Sequence, residues 1–120
     1  MTTLTEKGHA GGFILSVANG NRSFANITAA SGENLQAGEV YALVGGKAVA
    51  LDPTDISYGA DAPAGIAFDA IDATLADAPG AAVVRDAEVN SKELVWPTGI
   101  SANDKATAVT ALAALGILVR

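Results

Sequence analysis

The segment EVYALVGGKAVAL, residues 39–51, reads as a β-hairpin. Two short apolar runs, Glu39–Val44 and Lys47–Leu51, flank the pair Gly45-Gly46. A two-residue glycine turn suits this connection, because tight hairpin turns need positive φ and glycine takes it without a side-chain clash. The G-G-K sequence is therefore turn chemistry. It lacks the spacing of a phosphate-binding loop.

Reading toward the N-terminus, Ser31-Gly32 and Ala37-Gly38 break the chain on either side of Leu35. Phe24–Ala29 is predicted to be a strand, and Asn19-Gly20 a turn before it. The first apolar cluster is Phe13-Ile14-Leu15. Residues 1–12 hold Thr, Gly and charged side chains and are predicted to form a flexible arm, with 13–120 as one domain.

Reading toward the C-terminus, Asp52–Pro63 is rich in Asp, Pro and Gly and predicts a loop. Gly65–Ile71 alternates as a strand, with Ile66, Phe68 and Ala70 on one face and Ala67, Asp69 and Ile71 on the other. A loop over Ala73–Pro79 and a strand over Gly80–Arg85 follow. A short helical turn is predicted around Asn90–Leu94, closed by Trp96-Pro97, since the residue before a proline is biased away from helix. Ser101 then opens a helix. Ser101 and Asp104 give the S-x-x-D form of a capping box. Val109, Leu112, Ala113 and Leu115, with Ala106 or Ala108 a turn earlier, are predicted to lie on one side of it, Gly116 stops it, and Ile117–Val119 forms a last strand. The class is α+β, mostly β, with one C-terminal helix.

Composition sets bounds on function. Of 120 residues 50% count as hydrophobic, but 26 of those are Ala, and Val, Ile, Leu and Phe together number 30. Apolar burial stabilises in proportion to area, about 25 cal/mol/Å², so the core is modest. Association with other chains is the natural supplement. Seven basic against thirteen acidic residues give a net charge of −6. With no basic stripe, binding to nucleic acid or to anionic membrane is not expected. The absence of Cys removes disulfides and thiolate metal sites. The opening MTTLTEKGHAGG lacks the basic and apolar regions of a signal peptide, and the apolar run near Ala111–Val119 is too short to span a bilayer.

Catalytic chemistry finds little footing. His9 is the only histidine and lies in the arm, a poor platform for groups that need fixed positions. Asp69, Asp72, Asp77, Asp86 and Glu88 show no spacing of a paired-carboxylate hydrolase or a calcium loop. They read as solvated loop and edge positions. No enzyme activity, cofactor or metal is expected. Trp96, with Pro97 beside it, fits either an interface anchor or a core position. A soluble β-rich adaptor or carbohydrate-binding module is the alternative function, although the chain has few aromatic residues.

The order of three segments carries a resemblance. GIAFDAIDA at 65–73, VVRDAEVNSKELVWP at 83–97 and ALGILVR at 114–120 together resemble the lambda-type bacteriophage head decoration proteins, the protein D family. EKGHAGGFILSVANG at 6–20 and N-I-T at 26–28 look like its longer members. The resemblance implies a small β-clip-like domain that forms a homotrimer. It implies a structural, non-catalytic role on the outer surface of a phage capsid, at threefold and quasi-threefold positions. There the trimer would cement the major capsid protein of the expanded head, after folding in the host cytoplasm. Carried onto this chain, the capsid-binding arm would include Thr2, Thr3, Leu4, Thr5, Glu6, Lys7, His9 and Phe13.

Overall fold

In the computed structural model, which describes residues 10–55 and 57–120, the predicted hairpin is formed by β4 (Val40–Val44) and β5 (Lys47–Ala50). Gly45 and Gly46 make its turn at φ 59° and 81°. Tyr41 faces Ala50 and Val44 faces Lys47 across the antiparallel pair. The hairpin is the middle of a closed five-strand barrel. β6 (Pro63–Ala67) pairs with β4, β8 (Ala78–Val83) with β6, and β2 (Phe24–Ala29) with β8, all antiparallel. A parallel contact of Ala29 with Ala48 closes the ring.

Alternation along these strands feeds two cores, one inside the barrel and one outside it. On β4, Tyr41 joins the inner core of Ala29, Leu35, Ala48, Ala67, Ile71, Ala73 and Ala82. Its neighbours Val40 and Ala42 join the outer core, with Phe13, Ile66, Val83, Val89, Leu94, Leu112 and Ile117. Adjacent residues on β6 and β8, Ile66 with Ala67 and Ala82 with Val83, are divided in the same way. A five-strand barrel has a narrow bore, and side chains rather than a ligand must fill it. Five buried alanines, Ala29, Ala48, Ala67, Ala73 and Ala82, fit that bore. A Cβ at Gly65 would sit 2.6 Å from the Val83 carbonyl oxygen, and one at Gly80 would run into the Ile71 side chain.

Two smaller units complete the fold. β3 (Glu33–Leu35) and β7 (Ile71–Ala73) pair as an antiparallel ribbon. β9 (Ala87–Val89) is flanked by β1 (Ile14–Val17), antiparallel, and by β10 (Ile117–Val119), parallel. A single 3-10 turn, Ser91–Glu93, occupies the predicted helical turn, and α1 (Ala102–Ala114) follows. Ser101 caps α1, its hydroxyl accepting the Asp104 N–H at 3.0 Å.

Three expectations change. The strand predicted over Gly65–Ile71 is two strands with a bend at Phe68–Ala70. There the Phe68 N–H leaves for the Ala81 carbonyl, and Asp69 accepts the Ala70 N–H. The loop expected over Ala73–Pro79 begins one residue later and ends earlier, since Ala73 lies in β7 and Pro79 in β8. On α1 the buried positions are Ala108 and Leu112, one helical turn apart. Ala113 and Leu115 face solvent, because the helix packs chiefly on β6 and β10 along a narrow stripe.

Candidate interaction surface

The first strand depends on a short tether. Ala10–Phe13 form a turn in which the Gly11 N–H donates to the Phe68 carbonyl at 2.9 Å, and the Ile14 N–H donates to the Gly11 carbonyl at 3.1 Å. Phe13 is 2% exposed in the outer core, and its carbonyl accepts the Asn90 N–H at 2.8 Å. The ring that sequence reading counts with the capsid-binding arm is thus a core anchor here. The other arm residues, Thr2, Thr3, Leu4, Thr5, Glu6, Lys7 and His9, lie outside the described residues. Ala10, Gly11 and Gly12, counted with the arm, belong to this hydrogen-bonded turn.

From that anchor β1 runs along the edge of the three-stranded sheet. Its pairing with β9 slips between Ile14 and Ser16. Such a bulge turns one side chain out of the regular alternation, and Leu15 is 55% exposed. Val17, Leu118 and Leu115 are also exposed. Val17 and Leu118 line one shallow depression with Ser16 and Gly116. Its charged rim is paired internally: Arg22 lies 3.5 Å from Asp86, and Arg120 lies 3.1 Å from Glu88. The depression is thus mixed in character, with exposed Val17 and Leu118 set among internally paired charges, a composition that protein–protein contacts share. The sequence places Leu118 in a strand, Leu15 in an apolar cluster and Leu115 on the helix, without their exposure, since neither the bulge nor the edge position leaves a mark in the amino-acid pattern.

The five carboxylates singled out from sequence do not converge. Asp69 and Asp72 close their own turns, Asp72 Oδ1 accepting from the Thr74 N–H at 3.1 Å and from its hydroxyl at 2.6 Å. These bonds hold the Asp72 carboxyl below the ordinary aspartate range. The Lys47 ammonium and the Ser31 N–H do the same for Asp77. Asp86 and Glu88 form the two rim ion pairs. Among the described residues no group of three His, Asp or Glu stands close enough to hold a metal ion, and no helix is long and apolar enough to cross a membrane.

Trp96 is half-buried against the outer core, and the Lys105 ammonium stands 5.6 Å from its ring centre. One side of Trp96 is thus core, and the rest of it stays at the surface beside Lys105. Pro97 beside it is also half-buried. Tyr58 is the exposed aromatic among the described residues, which gives no stacking platform of the kind a carbohydrate reader uses.

A family model described as bacteriophage lambda head decoration protein D matches residues 3–117. No curated protein matches the chain.

Proposed function

The chain belongs to the bacteriophage lambda head decoration protein D family, a family of structural phage capsid proteins, and from that membership we propose how it works. It binds the outer surface of the expanded head as a homotrimer, at threefold and quasi-threefold positions, and cements neighbouring major capsid subunits. It uses no cofactor and performs no catalysis. The observation that carries this reading is the family match across nearly the whole chain.

Residues 1–9 together with the β1 edge supply the capsid contact in this reading. Two observations support it. β1 is an edge strand directly downstream of that segment, and its edge offers backbone groups to a partner strand. Leu15, Val17 and Leu118 supply apolar area beside it. Three such contacts from one trimer raise the effective concentration of each, so weak single contacts suffice.

Deleting residues 1–9 tests the reading. The truncated chain keeps the Phe13 anchor and folds, and its occupancy on expanded shells, measured by co-sedimentation, falls at least tenfold. Equal occupancy by the truncated and full chains contradicts the role given to the segment.

A further inference from the structure

Two features of this chain carry opposite charge, an apolar tip with an acidic flank and an apolar groove edged by a cation. The first is Leu75, 95% exposed at the tip of the loop between β7 and β8. Its loop is braced at both ends. Asp72 closes the near side through Thr74. Asp77 holds the far side, accepting the Ser31 N–H at 2.8 Å and pairing with Lys47. A tip already held in place loses little entropy when a partner covers it.

The second feature is a groove along α1, floored by Ile100, Ala106 and Val109 and edged by Lys105. Past Lys105 the helix carries no charged side chain. Among the described residues Lys105 pairs with no carboxylate, nor do Arg85 and Lys92, whereas Arg22, Lys47 and Arg120 each do. Its described neighbour is the Trp96 ring.

We propose that Leu75 of one copy of this chain seats in the α1 groove of a second copy, with Asp72 facing Lys105. The proposal rests on the homotrimer reading above and names its contact surfaces. Charge selects the occupant. Copies with a net charge of −6 repel one another, so a self-contact is favoured where an acidic flank meets a cation without a carboxylate among the described residues, and of these Lys105 is the one that edges the apolar α1 groove. Placement selects the geometry. Ala73, next to the loop, pairs with Glu33, and Glu33 borders one cleft with Ile100 and Asp104 at the start of α1. Knob and groove thus lie on neighbouring flanks of the molecule. A head-to-tail contact closes into a ring when its rotation returns to the first copy and otherwise propagates into a filament, so the trimer reading requires this contact to turn by a third of a circle.

The chain has no cysteine, which makes thiol cross-linking a clean test. A chain carrying both Leu75→Cys and Ala106→Cys is oxidised, free and on decorated shells, and run on a non-reducing gel. The expected result is a covalent ladder ending at three chains, with each single variant remaining monomeric on the gel. A double-mutant cycle adds a second readout without disturbing the turn, since Asn at position 72 still accepts from Thr74. Asp72→Asn and Lys105→Gln should each weaken association about tenfold, and the double variant no further than either single one. Shells decorated by the double-cysteine chain without cross-links, or additive losses in the cycle, overturn the contact and leave the decoration role standing. Failure of the unmodified chain to decorate shells overturns that role itself.

Discussion

The hydroxyl of Ser23, fully buried, donates to the carbonyl oxygen of Asp86 at 2.8 Å and accepts the Ala18 N–H at 3.0 Å. One side chain thereby ties the turn before β2 to the turn between β8 and β9, 63 residues away. Asp86 sits there with φ at 52°, a conformation unusual for a residue with a side chain. This node joins the three-stranded sheet, with its exposed Leu15 and Leu118, to the barrel.

Replacing Ser23 with Ala removes both hydroxyl bonds and leaves the Ala18 N–H and the Asp86 carbonyl with their direct bond to each other, at 3.2 Å. A loss of about 0.5–1.5 kcal/mol is expected for such a deletion, read as a lower urea midpoint with unchanged slope. Ser23→Thr, which keeps the hydroxyl, should recover part of it. No change in the Ala variant would contradict the bridging role.

The barrel bore makes a second prediction. Gly65→Ala and Gly80→Ala place a methyl against the Val83 carbonyl and the Ile71 side chain, and overpacking of this kind costs about 1–3 kcal/mol. Gly46 has open space around it and positive φ. Gly46→Asn should therefore cost much less, because asparagine tolerates that conformation. Thermal unfolding of the three variants should rank them in that order.

The outer core gives a third. Leu112 is fully buried where α1 packs on the outer core. Leu112→Ala should cost about 2–5 kcal/mol, while Leu115→Ala, at an exposed position, should stay within about 0.5 kcal/mol. Equal losses at the two positions would mean that the helix is rotated from the orientation described.

Acid and alkali should act through different groups. Asp52, Asp72 and Asp77 have carboxyls held below their ordinary value by hydrogen bonds from Thr54, Thr74 and Lys47 respectively. A folded-state pKa below the unfolded one gives stability that is present above the unfolded value, about 3.9, and is lost as pH falls through the folded one. Glu39 runs the other way. Burial raises it, against the Gln36 N–H that lowers it, so its contribution is present below the unfolded value, about 4.3, and fades as pH rises through the folded one. Glu39→Gln should thus gain stability at neutral pH relative to pH 3. Burial also pushes the Tyr41 phenol up to about 12, so stability should fall from pH 10 toward 12 and Tyr41→Phe should flatten that fall. Melting curves across pH check all three groups.

Local chemistry explains what was readable from the chain. The Gly45-Gly46 hairpin, the Ser101 cap, the stop at Gly116 and the turn after Asn90 each rest on a few neighbouring residues, and each is where the sequence places it. What escaped depends on distant partners. β3 is three residues between two glycine breaks and becomes a strand only because β7 lies beside it. Gly65–Ile71 splits because Phe68 bonds to Ala81 and Gly11. Phe13, adjacent to a glycine-rich segment, is a core residue because the barrel and β9 close around it. The apolar surface on β1 and β10 was invisible for the same reason, since exposure follows from tertiary packing and an exposed Leu looks like a buried one in sequence.

The central claim is that this chain decorates a phage head from outside. Cryo-EM of expanded heads, prepared with and without the protein, tests it most directly. Added density is expected at the threefold and quasi-threefold positions of the outer surface, into which three copies of the described fold can be placed with β1 toward the shell. Shells that gain no density at saturating protein, or gain it only on the inner surface, would contradict it.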